Sequence, residues 1–146
     1  MAEIIEHQLL DVRNMLTFRG MIDKDDIESI KKEMDNMITA SGAKRVSSFI
    51  TATYAIFRNK YEVEIFAAVD RNISSTIRFK IKDRLMIINA IVAKHKGNKD
   101  KLDDTIFELE NYIAERNYVP TSVAYHVESD DGLETDIYMG ISPNIV

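Results

Sequence analysis

The stretch Tyr61–Val69, YEVEIFAAV, divides into two faces at the two-residue period of a β-strand, with its carboxylates two positions apart on one of them. Tyr61, Val63, Ile65, Ala67 and Val69 share one face, and Glu62, Glu64, Phe66 and Ala68 share the other. The pattern returns at Leu133–Ile141, LETDIYMGI. There Leu133, Thr135, Ile137, Met139 and Ile141 lie on one face, and Glu134, Asp136, Tyr138 and Gly140 on the other. Sliding Tyr61 onto Leu133 aligns Glu64 with Asp136 and Phe66 with Tyr138. Each strand thus carries a mainly apolar face and a face with two carboxylates and an aromatic ring.

The same two-part pattern extends through the chain. Val12–Ile22 reads as a strand, with Gly20 at a bulge or a close backbone approach. Asp23 stands where a helix N-cap is expected, and Asp25 and Asp26 suit the positive end of a helix dipole. Ile27, Ile30, Met34, Met37 and Ile38 follow helical spacing, predicting a helix over Lys24–Ser41 that ends at Gly42. Arg45–Phe57 is β-rich, and Arg58-Asn59-Lys60 turns it back into the Tyr61 strand as a hairpin. Polar Asp70–Ser75 connects the halves. Thr76–Lys82 alternates again, with Arg78, Lys80 and Lys82 on one face, expected to be solvated and dispensable. Arg84–Ala93 then resembles Arg13–Ile22. A second helix is predicted over Lys99–Arg116, its stripe Leu102, Ile106, Leu109, Tyr112 and Ile113. Pro120 ends the connection, Ser122–Val127 is a strand, and Ser129–Gly132 is a turn into Leu133–Ile141. The expected fold is α+β: β-α-β-β twice, antiparallel, with two long helices and pseudo-two-fold symmetry. Residues 1–146 are expected to form a single domain, with repeats at about 10–70 and 76–142.

With 146 residues, 45% hydrophobic and 29% charged, the composition is that of an ordinary globular protein. No apolar run reaches the roughly 20 residues of a membrane-spanning helix. The N-terminus lacks the basic and cleavage segments of a signal peptide, so a cytoplasmic location is expected. Cysteine is absent, which excludes disulfides and thiolate chemistry. A net charge of −5 disfavours a nucleic-acid backbone as partner and leaves room for a cationic one.

Glu64 and Asp136 are the leading candidates for chemistry. Phe66 and Tyr138 neighbour them, and Tyr54, Phe49, Tyr125 and Tyr112 come from elements expected to pack nearby. A carboxylate among aromatic rings suits a lipophilic cation, through charge compensation and cation–π attraction. The bland alternative is that these acids decorate solvated strand faces. His7, His95 and His126 show no metal-ligand spacing, and no nucleophile, phosphate-loop or dinucleotide motif is present, so no metal or cofactor is expected.

The second half, from Ile91 to Ile141, resembles the GyrI-like effector-binding domain, which is seen fused to bacterial MerR-type and AraC-type regulators and is related to the SOUL haem-binding fold. The residues carrying the resemblance are His95-Lys96-Gly97, Asn111-Tyr112-Ile113, Tyr118-Val119-Pro120, Tyr125 and Thr135–Ile141. In the first half they are Phe18-Arg19-Gly20 and Glu62-Val63-Glu64-Ile65. The resemblance implies two βαββ units around a groove for lipophilic, often cationic molecules, with Glu64 at the family's acidic position. The chain departs from the family's Gly-Pro-Tyr, with Gly-Met-Ile at Gly20–Ile22 and Gly-Asn-Lys at Gly97–Lys99, and it carries no DNA-binding helix-turn-helix.

Three functions follow as expectations. The first is a standalone small-molecule-binding module with Glu64, Phe66, Tyr54, Phe49, Tyr125, Asp136 and Tyr138 as ligand contacts. The second is a protein-interaction module of the gyrase-inhibitor type, using the same face. The third is a small-molecule hydrolase with Glu64 or Asp136 as base, disfavoured against binding because duplicated strand acids are a weak signal for it. Haem ranks last, because no histidine lies in a matching strand.

Overall fold

A computed structural model describes residues 2–129 and 131–143. The fold is α+β, with antiparallel strands and two long helices, as the periodicities predict. By internal contacts the chain forms two compact units, Val12–Leu85 and Met1–Asp11 with Met86–Val146. Two long strands, β1 (Glu3–Asp23) and β4 (Phe79–Lys96), contribute to both.

In the Val12–Leu85 unit, β1 pairs with β3 (Lys60–Ala68), and β3 with β2 (Ile50–Phe57). The register sets Phe18 opposite Ile65 and Leu16 opposite Ala67, so four apolar side chains point the same way. α1 (Ile27–Ala40) lays Ile30, Met34 and Ile38 on them, and Val63, Val69 and Phe79 complete the core. Ile27 and Met37, at the borders of the stripe, are half-buried. Asp23 makes no side-chain cap; a 3-10 turn over Lys24–Asp26 starts the helix instead. Gly42, at φ 76°, ends it in the left-handed conformation that costs glycine least, while the amide of Ala43 donates to the Ile38 carbonyl. β2 and β3 meet through a two-residue turn, Arg58-Asn59, and β2 is bulged at Tyr54.

In the other unit β4 pairs with β7 (Glu134–Pro143), and β7 pairs with β6 (Tyr125–Glu128) and with a short strand the sequence did not suggest, β5 (Tyr118–Pro120). α2 (Leu102–Glu115) buries Leu109 and Ile113 against Ile91, Ala93, Ile137, Met139 and Ile141. Leu102, Ile106 and Tyr112 flank that core, and Leu133 stays exposed. Asn98 caps the 3-10 turn before α2 by accepting from the Asp100 amide. Buried His95, at the end of β4, joins the cap: one ring nitrogen lies 2.7 Å from the Thr105 hydroxyl and the other 2.8 Å from the Asn98 carbonyl. In the turn predicted at Ser129–Gly132, the Gly132 amide donates to the Ser129 carbonyl; Asp130 lies outside the described residues.

The main departures concern strand length. β1 begins at Glu3 rather than Val12, and the stretches read as Thr76–Lys82 and Arg84–Ala93 run together as β4. The two long strands are neighbours, and pairing extends both beyond what their own alternation signals. No helix among the described residues is long and apolar enough to cross a membrane.

Candidate ligand-binding site

Glu64 sits in the middle of β3, on the face away from α1. Its neighbour positions Val63 and Ile65 belong to the core beneath the helix. Strand alternation sends Glu64 and Phe66 the other way, yet both are 2% exposed. A buried carboxylate is tolerated only when its oxygens find donors or cations. Here they come from three further strands. The Tyr54 hydroxyl donates to Oε1 at 2.7 Å, from the bulge that displaces it from regular pairing. The Lys82 ammonium lies 2.6 Å from Oε2 and 5.7 Å from the centre of the Phe66 ring. Arg19, directly opposite Glu64 on β1, places its guanidinium 3.9 Å from Oε1 and 3.5 Å from Glu62. The same guanidinium stacks on the Tyr54 ring at 4.0 Å. Two carboxylates therefore meet two cations, and each cation also covers an aromatic ring.

This arrangement corrects the reading of the basic row. Arg78, Lys80 and Lys82 are exposed, but only as residues: the ammonium of Lys82 is committed to a buried carboxylate. Arg78 pairs with Glu33 at 3.1 Å and lies over the Phe18 ring at 5.2 Å. Alternation put all three on one face, but Arg78 precedes β4 and reaches Glu33 on α1, whereas Lys82 reaches Glu64 on the face away from that helix. Alternation carried no information about the strand two places away that Lys82 reaches.

Of the seven expected contact residues, Tyr54, Glu64 and Phe66 are brought together. Phe49 packs instead against the core beneath α1, where Arg45 lies over its ring at 4.3 Å and Lys31 at 5.7 Å. In the other unit Asp136 is opposite Lys94 in register and 3.6 Å from its ammonium, a counterpart of the Arg19–Glu64 pair that is much more open: the Asp136 side chain is 30% exposed. Tyr125 pairs with Tyr138. Burial, and then the charge of Asp136, push the Tyr138 hydroxyl above its ordinary range, against a smaller effect of Lys94. Tyr112 does not join these residues. Its hydroxyl donates to Glu6 at 2.6 Å, as that of Tyr118 does at 2.7 Å. Those two bonds, Tyr112 first, hold the Glu6 carboxyl below the usual range, and they raise both tyrosines.

A separate cleft of about 410 Å³ is lined by Lys94, His95, Lys101, Asp104, Thr105 and Glu108, among others; Glu64 and Tyr54 do not border it. The residues missed from the sequence are Arg19 and Lys82. No signal along the chain joins either to Glu64, since Arg19 meets it through the pairing of β1 with β3 and Lys82 through the strand order.

No family model matches the chain, and no curated protein matches its sequence. Solved structures do match its fold. A cryo-EM structure of EcmrR in an EcmrR–DNA complex superposes with a TM-score of 0.80 at 14% identity, over 98% of this chain and 58% of that one. The chain thus spans little more than half the length of that protein. The crystal structure of the EcmrR C-terminal domain matches at 0.71 and 14% identity, over 99% of both chains. A crystal structure of a hydrolase from Listeria innocua matches at 0.66 and 13%, over 97% and 91%. The structure of SAV2435 bound to tetraphenylphosphonium matches at 0.53 and 9%, over 97% and 94%. These likenesses establish the fold.

Proposed function

We propose that this chain is a small-molecule-binding module of the GyrI-like effector-binding type, and that its ligand is a lipophilic cation held by Glu64 between Tyr54 and Phe66. The observation that carries this reading is the environment of Glu64: a carboxylate 2% exposed, with an ammonium 2.6 Å away and aromatic rings beside it. A site that holds one cation by charge and ring contact has the chemistry to hold another. The likeness of the fold to SAV2435, whose structure contains tetraphenylphosphonium, supports the choice of ligand class. The likeness to the EcmrR C-terminal domain, over 99% of both chains, supports reading this chain as a domain of that same fold.

The test is titration of tetraphenylphosphonium into the parent and into Glu64→Gln, followed by calorimetry. The substitution keeps shape and removes charge. It should fold and lose about 1–2 kcal/mol of binding, the scale of a coulombic contact at about 6 Å in a partly solvated site. Neutral triphenylphosphine oxide should bind both proteins alike. Equal affinity of both proteins for the cation would remove Glu64 from the site.

A further inference from the structure

We infer that Lys82 is the site's resident occupant, and that a ligand cation binds by exchange with its ammonium. This rests on the reading of Glu64 given above and adds what that reading lacks, an account of how a filled site takes a ligand.

The geometry separates the two cations at Glu64 by how they are held. Arg19 is fixed on three sides: it stacks on Tyr54, pairs with Glu62 and lies against Glu64. Its planar guanidinium loses several oriented contacts if it leaves. Lys82 has its ion pair with Glu64 and its position near the Phe66 ring, and since the two side chains are exposed alike, 48% against 51% for Arg19, it is this smaller set of contacts on a longer flexible stem that sets it apart. Its stem is flexible and its ammonium strongly hydrated, so water outside takes it back readily. Lys82 can therefore swing out while Arg19 and Tyr54 keep the carboxylate in place.

Exchange has a consequence for selectivity. The number of charges at Glu64 stays constant when one cation replaces another, so the buried carboxylate is never left uncompensated. A large, weakly hydrated cation gains the ring contacts and gives up little water, and the released lysine recovers its hydration. A small hydrated cation gains nothing over Lys82 itself and stays outside. The site thus rejects ordinary ions by holding an equivalent of one already.

Lys82→Met keeps the stem and removes the occupant. If the ammonium occupies the site about nine-tenths of the time, its removal should tighten tetraphenylphosphonium binding about ten-fold. Lys80→Met makes the same change of net charge on the same face and should leave affinity within about two-fold, the scale of a distant screened charge. In a Glu64→Gln background Lys82→Met should give no gain. Unchanged or weaker binding by Lys82→Met, with Glu64→Gln still impaired, overturns the exchange and leaves Glu64 as the counter-charge. A gain that persists in the Glu64→Gln background also overturns it, because lysine then acts by general repulsion. If Glu64→Gln alone binds like the parent, the underlying reading of the site fails. A second measurement needs no variant. In the parent, amine acetylation followed by mass spectrometry should label Lys82 more slowly than Lys80, and saturating tetraphenylphosphonium should accelerate Lys82 alone. Equal rates with and without the cation would overturn the proposal.

Discussion

Replacing Tyr54 by phenylalanine removes one hydroxyl and leaves the ring, so its effect reads the 2.7 Å hydrogen bond to Glu64 without opening a cavity. A bond to a charged partner contributes about 1.5–3 kcal/mol, and loss of a donor from a buried acceptor leaves that acceptor short of a partner. Glu64 is 2% exposed, which argues for a large effect, but Lys82 and Arg19 remain to hold it. The expected loss is therefore at the low end, about 1.5–2 kcal/mol. In a Glu64→Gln background the same change removes a bond between neutral groups, about 0.5–1 kcal/mol. The double-mutant cycle should then show a coupling of about 1 kcal/mol. Urea unfolding of the four proteins measures it, followed by circular dichroism and by tyrosine fluorescence so that coincident transitions establish two-state behaviour. A coupling below about 0.3 kcal/mol, the usual error of additivity, would mean that the hydroxyl and the carboxylate do not depend on each other in solution.

Leu109, fully buried on α2 against Ile91 and Ile137, should cost about 2–5 kcal/mol on replacement by alanine, and a loss under about 0.5 kcal/mol would show that the helix stripe faces water. Glu6 gives a pH prediction. Its carboxyl titrates below the ordinary range because Tyr112 and Tyr118 donate to it, so its contribution to stability is present above the unfolded-state pKa and is lost as pH falls through the lowered, folded-state value. The stability difference between the parent and Glu6→Gln, measured by urea unfolding, should hold steady from about pH 8 to about pH 5 and narrow toward about pH 3. A difference that does not change with pH would refute the role of the carboxylate charge.

Much of the architecture is legible along the chain because it depends on local periods. Alternation at Tyr61–Val69 and Leu133–Ile141 located β3 and β7 to within two residues at each end, and the stripe Ile30, Met34, Ile38 identified the buried face of α1. Errors cluster where a neighbour supplies the missing order. Glu3–Leu10 has no clean alternation, yet it belongs to β1, which neighbours β4 in the sheet. Asp23 has the right type for a cap but sits before a 3-10 turn, and its side chain makes no cap.

The candidate site divides in the same way. The sequence by itself determined that Glu64 and Phe66 share the strand face opposite the core, since the side-chain period of a strand is two. It also aligned Asp136 with Glu64, and each of the two faces a cation across its strand pair. Only the tertiary structure decided that Glu64 is buried, because burial depends on what lies over a face and not on the residues within it. Only register placed Arg19 opposite Glu64, and only the pairing of β2 with β3 brought Tyr54 beside it. Lys82 shows the difference most plainly. In the sequence it is one of three evenly spaced cations. In the structure the order β4-β1-β3 brings it within reach of a carboxylate 18 positions away, because strand pairing brings near in space what the chain holds apart.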